Sequence, residues 1–561
     1  MNTTFLKRAV YGMLMIGMCM TSCSDDDFGG KDDGKKDGEE TYEKGYIALS
    51  VINNTIRNAG TRADPPEYGE LEEGTSAENK VSTVHVVLYD ATNTVAYQFP
   101  LNGSTDMETV SKDATYNNKY QTKAQEVAIK PYKLAVFVNA PANLVAATTK
   151  GASLSALEAA HVLASGVTEL TTGGDDGDGF LMGNFAGLVN VPTTKIHPTA
   201  AAAVADPVAV DIERAVAKIT LKDELGGSNS TMTFSNFGWV EDVVNKKTYW
   251  MRKQTLMLDG TITSGQVTGT KMETDVAKDQ GDENIEATKA NRVRMYAEDP
   301  NFEKTTAEGW TSTMVGSDGS IYGQPNNLGD NYIYNNDVNE IKRVSKASVY
   351  VPENTMRAIE QWEDVTTSVL IKLGIEPKAT AFSSVSPGTS YYVYTDLAGT
   401  QRVFSGAELQ LIANAADDTE VIASPKTTWG EFLSANPALS DLQALLNNTS
   451  AQSAILASGV TDWSNLNNVS GEYGDLKYYV DGMNYYRVPI RHFSDYYQSV
   501  KMAYGRYGVV RNNIYYLTLE KVNNYGDIDV PDPKDPDDKE SFVSIKFEIL
   551  QWMQRTQGIE L

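Results

Sequence analysis

The feature that most constrains the fold is the final segment, Ser541–Leu561, which follows a linker broken by prolines. Within SFVSIKFEILQWMQRTQGIEL, apolar residues occupy alternate positions: Val543, Ile545, Phe547 and Ile549. This two-residue period predicts a strand with one buried face. The prolines of the linker DIDVPDPKDPDDKE restrict φ and remove backbone donors, which favours extended chain. The strand therefore either folds back into its own domain or reaches a neighbouring subunit.

The other end of the chain predicts export and lipidation. A short basic start, Lys7 and Arg8, precedes an apolar run from Ala9 to Met20, and small residues then lead to Cys23. This pattern predicts a lipoprotein signal peptide over residues 1–22, with Cys23 as the lipidated first residue. The apolar run is too short to span a bilayer. The acidic, glycine-rich stretch after Cys23 predicts a disordered tether and resembles the surface-export signal of Bacteroidales lipoproteins.

Composition excludes several kinds of partner and site. A net charge of -26 over 561 residues argues against nucleic acid as a partner. Both cysteines, Cys19 and Cys23, belong to the signal region, so no disulfide is expected. The histidines lack ligand spacing, and no metal or other cofactor is predicted. The acidic stretch Gly173–Gly179 lacks the bidentate Glu of a calcium loop and is interpreted as a turn.

A second strand of special interest lies just after the tether. In GYIALSVINN, Ile47, Leu49 and Val51 share one face, and their alternation matches that of the final strand. The charged, turn-rich sequence that follows contains Arg57 and Arg62. Such an exposed loop is a natural protease substrate.

Strand patterns dominate the rest of the chain. Short runs rich in Val, Ile, Thr and Tyr, separated by Gly, Asn and Pro, predict two antiparallel β-sandwich domains. The alanine-rich stretch Pro198–Pro207 is interpreted as the joint between them. Helical spacing occurs over Ser153–Leu170, Trp429–Leu433 and Leu439–Leu446. The expected fold class is therefore all-β with short helical insertions.

The motifs associated with catalysis are absent from the sequence. There is no GxSxG elbow, HExxH, P-loop or dinucleotide fingerprint in its required context, so we do not expect an enzyme. Paired tyrosines could line a glycan site, because aromatic rings offer flat apolar faces. Tyrosine in half-buried strands explains them equally well.

Several stretches together resemble the fimbrillins, the structural subunits of the type V pili of Bacteroidales, and most closely the branch of the minor fimbrium major subunit. The stretches are the lipobox at Cys23, TRAD around Arg62, Asp211–Leu221, Lys346–Thr355, Gly508–Val522, and the linker with its terminal strand. Their order covers nearly the whole chain. The resemblance implies two tandem transthyretin-like sandwiches and a C-terminal donor strand.

The resemblance also implies a maturation route. A precursor anchored in the outer membrane by lipid, such as palmitate, is cut between Arg62 and Ala63 by an arginine-specific protease. The masking strand with Ile47, Leu49 and Val51 leaves, and the donor strand of another subunit replaces it. The implied division is a propeptide over 23–62, domains over 63–207 and 208–526, and linker plus donor strand over 527–561.

The expected partners are copies of the chain and other fimbrial subunits in a cell-surface fimbrium that supports adhesion. Host or bacterial surface ligands stay open, as does Arg57 as the alternative cleavage position. Two other functions remain: a nonpolymerising surface lipoprotein that binds glycans, and a tip or accessory adhesin.

Overall fold

The computed structural model describes the chain in segments. These are residues 42–52, 71–109, 119–171, 179–185, 187–253, 259–263, 266–271, 297–301, 310–315, 321–325, 328–335, 337–356, 361–381, 390–423, 426–447, 469–492, 507–531 and 543–553. Residues Lys44–Leu561 form one compact unit. No helix in these segments is long and apolar enough to cross a membrane.

Strands account for most of the regular structure. Those of the first half are β1 (Lys44–Ile47), β2 (Leu49–Ile52), β3 (Leu71–Glu73), β4 (Thr83–Tyr89), β5 (Val95–Asn102), β6 (Met107–Thr109), β7 (Lys119–Thr122), β8 (Gln125–Ala128), β9 (Tyr132–Val138), β10 (His161–Val162), β11 (Met182–Asn184), β12 (Val189–Val191), β13 (Val208–Arg214), β14 (Val216–Asp223), β15 (Met232–Asp242), β16 (Val244–Asn245), β17 (Lys247–Thr248), β18 (Asp259–Thr263) and β19 (Gln266–Lys271). Those of the second half are β20 (Trp310–Val315), β21 (Ile321–Pro325), β22 (Tyr332–Ile333), β23 (Ser348–Pro352), β24 (Ser368–Pro377), β25 (Tyr391–Thr395), β26 (Gln401–Phe404), β27 (Glu420–Ala423), β28 (Lys426–Thr428), β29 (Val469–Gly471), β30 (Gly474–Tyr479), β31 (Met483–Pro489), β32 (Asn513–Val522) and β33 (Val543–Met553).

Helices are short and few in the described segments. They are α1 (Ala142–Ala147), α2 (Leu154–Glu158), α3 (Ala200–Ala205), α4 (Leu328–Asn331), α5 (Gly406–Asn414), α6 (Trp429–Ala435) and α7 (Ala438–Asn447), with 3-10 turns at Gly166–Leu170, Thr193–Lys195 and Val480–Gly482. The expected all-β class with short helical insertions is confirmed.

The N-terminal sheet has nine strands. Eight follow the order β5-β4-β9-β11-β13-β2-β7-β6, and β12 pairs with β9, while β1 pairs separately with β8. Alternation in β4 puts Val84, Val86 and Leu88 on one buried face, where they pack with residues of β1, β2, β9 and β13. The opposite face of β4 is buried in a second cluster through Val87 and Tyr89. This strand is therefore covered on both sides.

The C-terminal region contains two sheets packed face to face. One sheet has the order β23-β14-β32-β33-β3, and the other has β15-β24-β31. A shared apolar cluster contains residues of both, including Ile219, Leu517, Trp239 and Ile371. Two sheets that bury apolar faces against each other form a sandwich core.

A nearly continuous strand, β13 followed after Ala215 by β14, runs through both large sheets. Successive residues of a strand direct their backbone groups to opposite edges. The Val208 N–H donates to Ala48 O (2.9 Å), and the Val216 carbonyl accepts from Asn512 N–H (2.8 Å), whereas the Asp211 carbonyl faces Phe185. β2 and β32 therefore lie along the same edge of this strand, and β11 lies along the other.

Pairing differs in one respect from the antiparallel expectation. Most ladders are antiparallel, but β2 pairs with β13, β14 with β32, and β3 with β33 in parallel. Parallel pairs need long connections, which these strands have because their partners lie far away in sequence. Alternation along a strand does not encode the direction of its neighbour.

The helix expected over Ser153–Leu170 is only partly present. Helix α2 covers five residues and ends at Glu158, because the next residue, Ala159, has extended backbone. The next residues, His161 and Val162, pair with Thr248 and Lys247. A ladder with a distant strand replaces helical hydrogen bonds here, and a 3-10 turn completes the segment. The prediction is therefore wrong in extending one helix over the whole of Ser153–Leu170.

A small module of strands and helices is inserted between β24 and β31. It contains β25–β30 and α5–α7, with its own apolar cluster that includes Tyr394, Trp429 and Leu442. Helices α6 and α7 confirm the predictions around Trp429–Leu433 and Leu439–Leu446. Helix α5 was not predicted, although Ser405 and Glu408 form a capping box at its start. That S-x-x-E pattern was the available signal.

Candidate assembly site

The strand β2 occupies a central place in the N-terminal sheet. It pairs in parallel with β13 on one side and antiparallel with β7 on the other. The Leu49 N–H also donates to Thr122 Oγ1 (2.9 Å). If β2 were absent, β13 and β7 would each present an unpaired edge, and such edges readily accept another strand.

The apolar residues predicted for the masking strand all lie in the core. Ile47, Leu49 and Val51 are at most 2% exposed and pack in the N-terminal cluster. Burial of side chains of this size contributes about 1.5–3 kcal/mol each. The slot that β2 fills therefore requires an apolar occupant.

Both faces of β2 are covered, which the sequence pattern did not indicate. Ala48, Ser50 and Ile52 are as deeply buried as the residues between them. The hydroxyl of Ser50 is buried without a hydrogen-bond partner among the described residues. Since an unsatisfied buried hydroxyl costs stability, this strand fits its slot imperfectly. In the sequence, the small size of Ala48 and Ser50 was the available signal that this second face is closely packed.

The chain between β3 and β4 is fixed by buried polar contacts. Glu78 Oε1 accepts hydrogen bonds from Tyr350 OH (2.6 Å) and Lys218 Nζ (3.0 Å). Burial opposes the charge of Glu78, but these donors outweigh it and hold the pKa of its carboxyl below the usual value. Segment 74–80 is thereby attached to β14 and β23.

Arg214 strengthens the same attachment. Its fully buried guanidinium donates to Glu78 O (3.2 Å), to Asn79 Oδ1 and to Asn512 Oδ1 (3.3 Å). A buried charge is tolerated only when such acceptors surround it. This network joins segment 74–80 to the strand shared by both sheets. Sequence reasoning missed it, because the partners are more than a hundred residues apart.

The predicted donor strand, β33, lies in a sheet of its own chain. Its backbone pairs antiparallel with β32 from Val522↔Val543 to Asn513↔Gln551. On its other side, Gln551–Met553 pair in parallel with β3. In this register Phe547 stands opposite Leu517, and Ile545 opposite Leu519. The structure thus brings β33 next to β32, and not next to the strands that border the slot of β2.

Other predicted positions lie outside the described residues. These are Cys23, Arg57, Arg62, Ala63 and most of the acidic turn Gly173–Gly179. Within the described segments, no group of His, Cys, Asp or Glu side chains is arranged to hold a metal ion. Cleavage and lipidation at the predicted residues stay predictions.

The geometry defines an all-β protein with a buried strand, β2, inside its N-terminal sheet and a strand, β33, that follows a linker in the sequence. The fimbrillin C-terminal family, described as major fimbrial subunit protein type IV, matches residues 477–558. This segment includes β31, β32 and β33. The C-terminal region is therefore similar to the fimbrillins, which supports the fimbrillin resemblance seen in the sequence. This match supports a fimbrial structural subunit that associates with other subunits at the cell surface.

Solved structures give more distant similarities. A candidate cell adhesion protein of Parabacteroides distasonis has 10% identity and a TM-score of 0.40, covering 92% of this chain and 100% of its own. One of Bacteroides eggerthii has 11% identity and a TM-score of 0.36, with coverages of 92% and 99%. The tip fimbrial protein Mfa3 of Porphyromonas gingivalis, truncated at its C-terminus, has 8% identity and a TM-score of 0.30, with coverages of 91% and 100%. Similarity at this level assigns no function. No curated protein sequence matches the chain.

Proposed function

We propose that this fimbrial subunit is exported as a lipoprotein on Cys23, cut after Arg62, and polymerised by donor-strand exchange. The position of β2 carries the proposal. It is a central, fully buried strand, and Arg57 and Arg62 lie in the sequence that leads from it to the rest of the chain. A cut there separates β1 and β2 covalently from all later strands.

The occupant proposed for the vacated slot is β33 of another subunit. Its alternating Val543, Ile545, Phe547 and Ile549 match the spacing of Ile47, Leu49 and Val51, which form one of the two buried faces. Ladder bonds to β13 and β7 would replace those that β2 makes. In the unassembled chain β33 pairs with β32, so assembly exchanges one set of strand contacts for another.

A nonpolymerising lipoprotein would also pair β33 with β32. The two tests below distinguish it from a polymerising subunit.

The first test concerns the cut. Arg62→Ala should leave a lipid-bearing monomer that retains β2, because the slot stays filled. Comparison of Arg62→Ala with Arg57→Ala/Arg62→Ala shows whether cleavage occurs after Arg57 instead. Mass determination of the surface protein gives the first residue of the cleaved chain. Filaments of normal length from the double variant would overturn the requirement for cleavage at either position.

The second test concerns the donor. A cleaved subunit that begins at Ala63 and ends at Lys539 has two vacant places, the slot of β2 and the edge of β32 where β33 lies in the uncut chain. A synthetic peptide of Val543–Leu561 should raise its melting temperature, since a ligand that binds only the folded state stabilises it. Binding in the slot should also slow hydrogen exchange at the amides of β7, because β7 pairs with β2 and lies in a different sheet from β32. The matched control is the same peptide with Phe547→Asp, which places a charge against an apolar slot. Equal exchange at β7 with the two peptides would refute donor-strand exchange by β33.

A further inference from the structure

The edge strand β3 touches β33 at one defined place. Its three residues, Leu71–Glu73, pair in parallel with Gln551–Met553, at the end of β33 that is farther from the linker. Among the described residues, the rest of the β33 ladder is made with β32. Strands open from their ends, where fewer bonds must break at once. β3 therefore closes one of the two ends from which β33 can peel away from β32.

The chain on the two sides of β3 is held in different ways. Immediately downstream, the Thr75 N–H donates to Glu78 Oε2 (2.6 Å), and Asn79 Nδ2 donates to Gly74 O (2.7 Å). The Arg214 and Lys218 contacts then attach this turn to β13 and β14. This downstream attachment belongs to the mature chain and survives a cut at Arg62.

The upstream attachment of β3 does not survive that cut. Before cleavage the chain runs from β3 through residues 53–70 to β2, which is buried in the N-terminal sheet. A segment fixed at both ends loses less conformational entropy when it pairs than one fixed at a single end. A three-residue parallel pairing is marginal by itself and depends on such restraint.

We propose that β3 is a clamp that keeps β33 in its own sheet until cleavage. The clamp rests on the proposed donor-strand function and adds its regulation. The single cut after Arg62 then has two effects: it empties the slot of β2, and it frees the upstream end of β3 so that β33 can be released. An uncut subunit can neither accept nor readily donate a strand, which prevents assembly before the subunit reaches the protease.

Hydrogen exchange tests the effect of cleavage directly. The full chain without lipid, Ser24–Leu561, contains the whole compact unit and is compared before and after the cut. The amides of Gln551–Met553 should exchange at least about tenfold faster after cleavage, while the ladder between β14 and β32 keeps its protection. Unchanged exchange at Gln551–Met553 would overturn the clamp.

Strand transfer tests the clamp without any cleavage of the donor. The acceptor is the cleaved chain that ends at Lys539, and the donors are uncut Arg57→Ala/Arg62→Ala chains, which cannot accept. One donor also carries Glu72→Pro/Glu73→Pro, which removes the backbone donor whichever edge of β3 faces β33. Its matched control carries Glu67→Pro/Tyr68→Pro upstream of β3. Heterodimer formation, followed by size-exclusion chromatography, should be at least about tenfold faster with the β3 variant than with the other two donors.

The outcomes separate the clamp from the underlying mechanism. Equal rates for the three donors, with the Val543–Leu561 peptide still binding the acceptor, would overturn the clamp alone. An acceptor that binds neither peptide nor donor would overturn donor-strand exchange and the clamp with it. A melting curve of each donor establishes that the proline variants are folded, and the exchange comparison on the unmutated chain stands independently of them.

Discussion

Leu49→Ala should destabilise the uncut subunit and leave the assembled filament unchanged. Leu49 is 2% exposed and packs in the N-terminal core, so its truncation leaves a cavity. Changes of this kind cost about 2–5 kcal/mol. Each kcal/mol lowers the melting temperature by about 2–4 °C in a unit of about 150–250 residues, and by less in a compact unit as large as Lys44–Leu561. If β2 leaves during maturation, the cavity leaves with it.

The assay compares two preparations of the same variant. Thermal unfolding of the uncut chain, kept intact by Arg57→Ala/Arg62→Ala, should show the full loss. Filaments formed from cleavable Leu49→Ala subunits should dissociate in heat or denaturant at the same point as unmodified filaments. The control is Leu134→Ala, because Leu134 is fully buried in the same core but lies on β9, which remains in the mature chain. That variant should weaken both the uncut chain and the filament. Weaker filaments with Leu49→Ala would show that β2 remains in place and would refute strand replacement.

Three further predictions concern other parts of the chain. Cys23→Ala should abolish lipidation and outer-membrane anchoring, measured by accessibility on intact cells; normal surface display would contradict the lipoprotein assignment. Ser50→Ala should raise the stability of the uncut chain by about 1 kcal/mol, because it removes a buried hydroxyl that has no partner among the described residues, and denaturant unfolding measures it. Burial, helped by Arg252, lowers the pKa of His492 to about 3, and its Nδ1 lies within hydrogen-bond distance of Tyr515 OH (2.7 Å). Below pH about 6.5 the unfolded chain binds a proton on His492 and the native chain does not. The free energy of unfolding should therefore fall by about 1.4 kcal/mol per pH unit as the pH decreases from about 6.5 to about 3. His492→Gln should remove this slope from stabilities measured by urea unfolding, and an unchanged slope would show that His492 is not its source.

Much of the local structure was predictable because alternation reports burial directly. Short runs rich in Val, Ile, Thr and Tyr, which predict strands, include β24 and β32. The masking residues Ile47, Leu49 and Val51 were found by their alternation. Helix α5 was accessible in principle, through the capping box at Ser405 and Glu408.

The interactions between distant residues were not predictable from these patterns. Arg214 is an ordinary basic residue in the sequence, and only the fold surrounds it with Glu78, Asn79 and Asn512. The parallel direction of β2 on β13 is likewise absent from the alternation of either strand. Hydrogen-bonded ladders form between backbones, which carry no residue identity.

The sequence by itself determined that this chain is all-β, with a strand before Arg57 and Arg62 and a strand of similar alternation after its linker. It did not determine where either strand lies. Only the tertiary structure decided that β2 completes the N-terminal sheet, and that β33 lies between β32 and β3. The physical reason is that strands of equal alternation can occupy the same slot, so their partners depend on chain connection and on the edges that the rest of the fold leaves open.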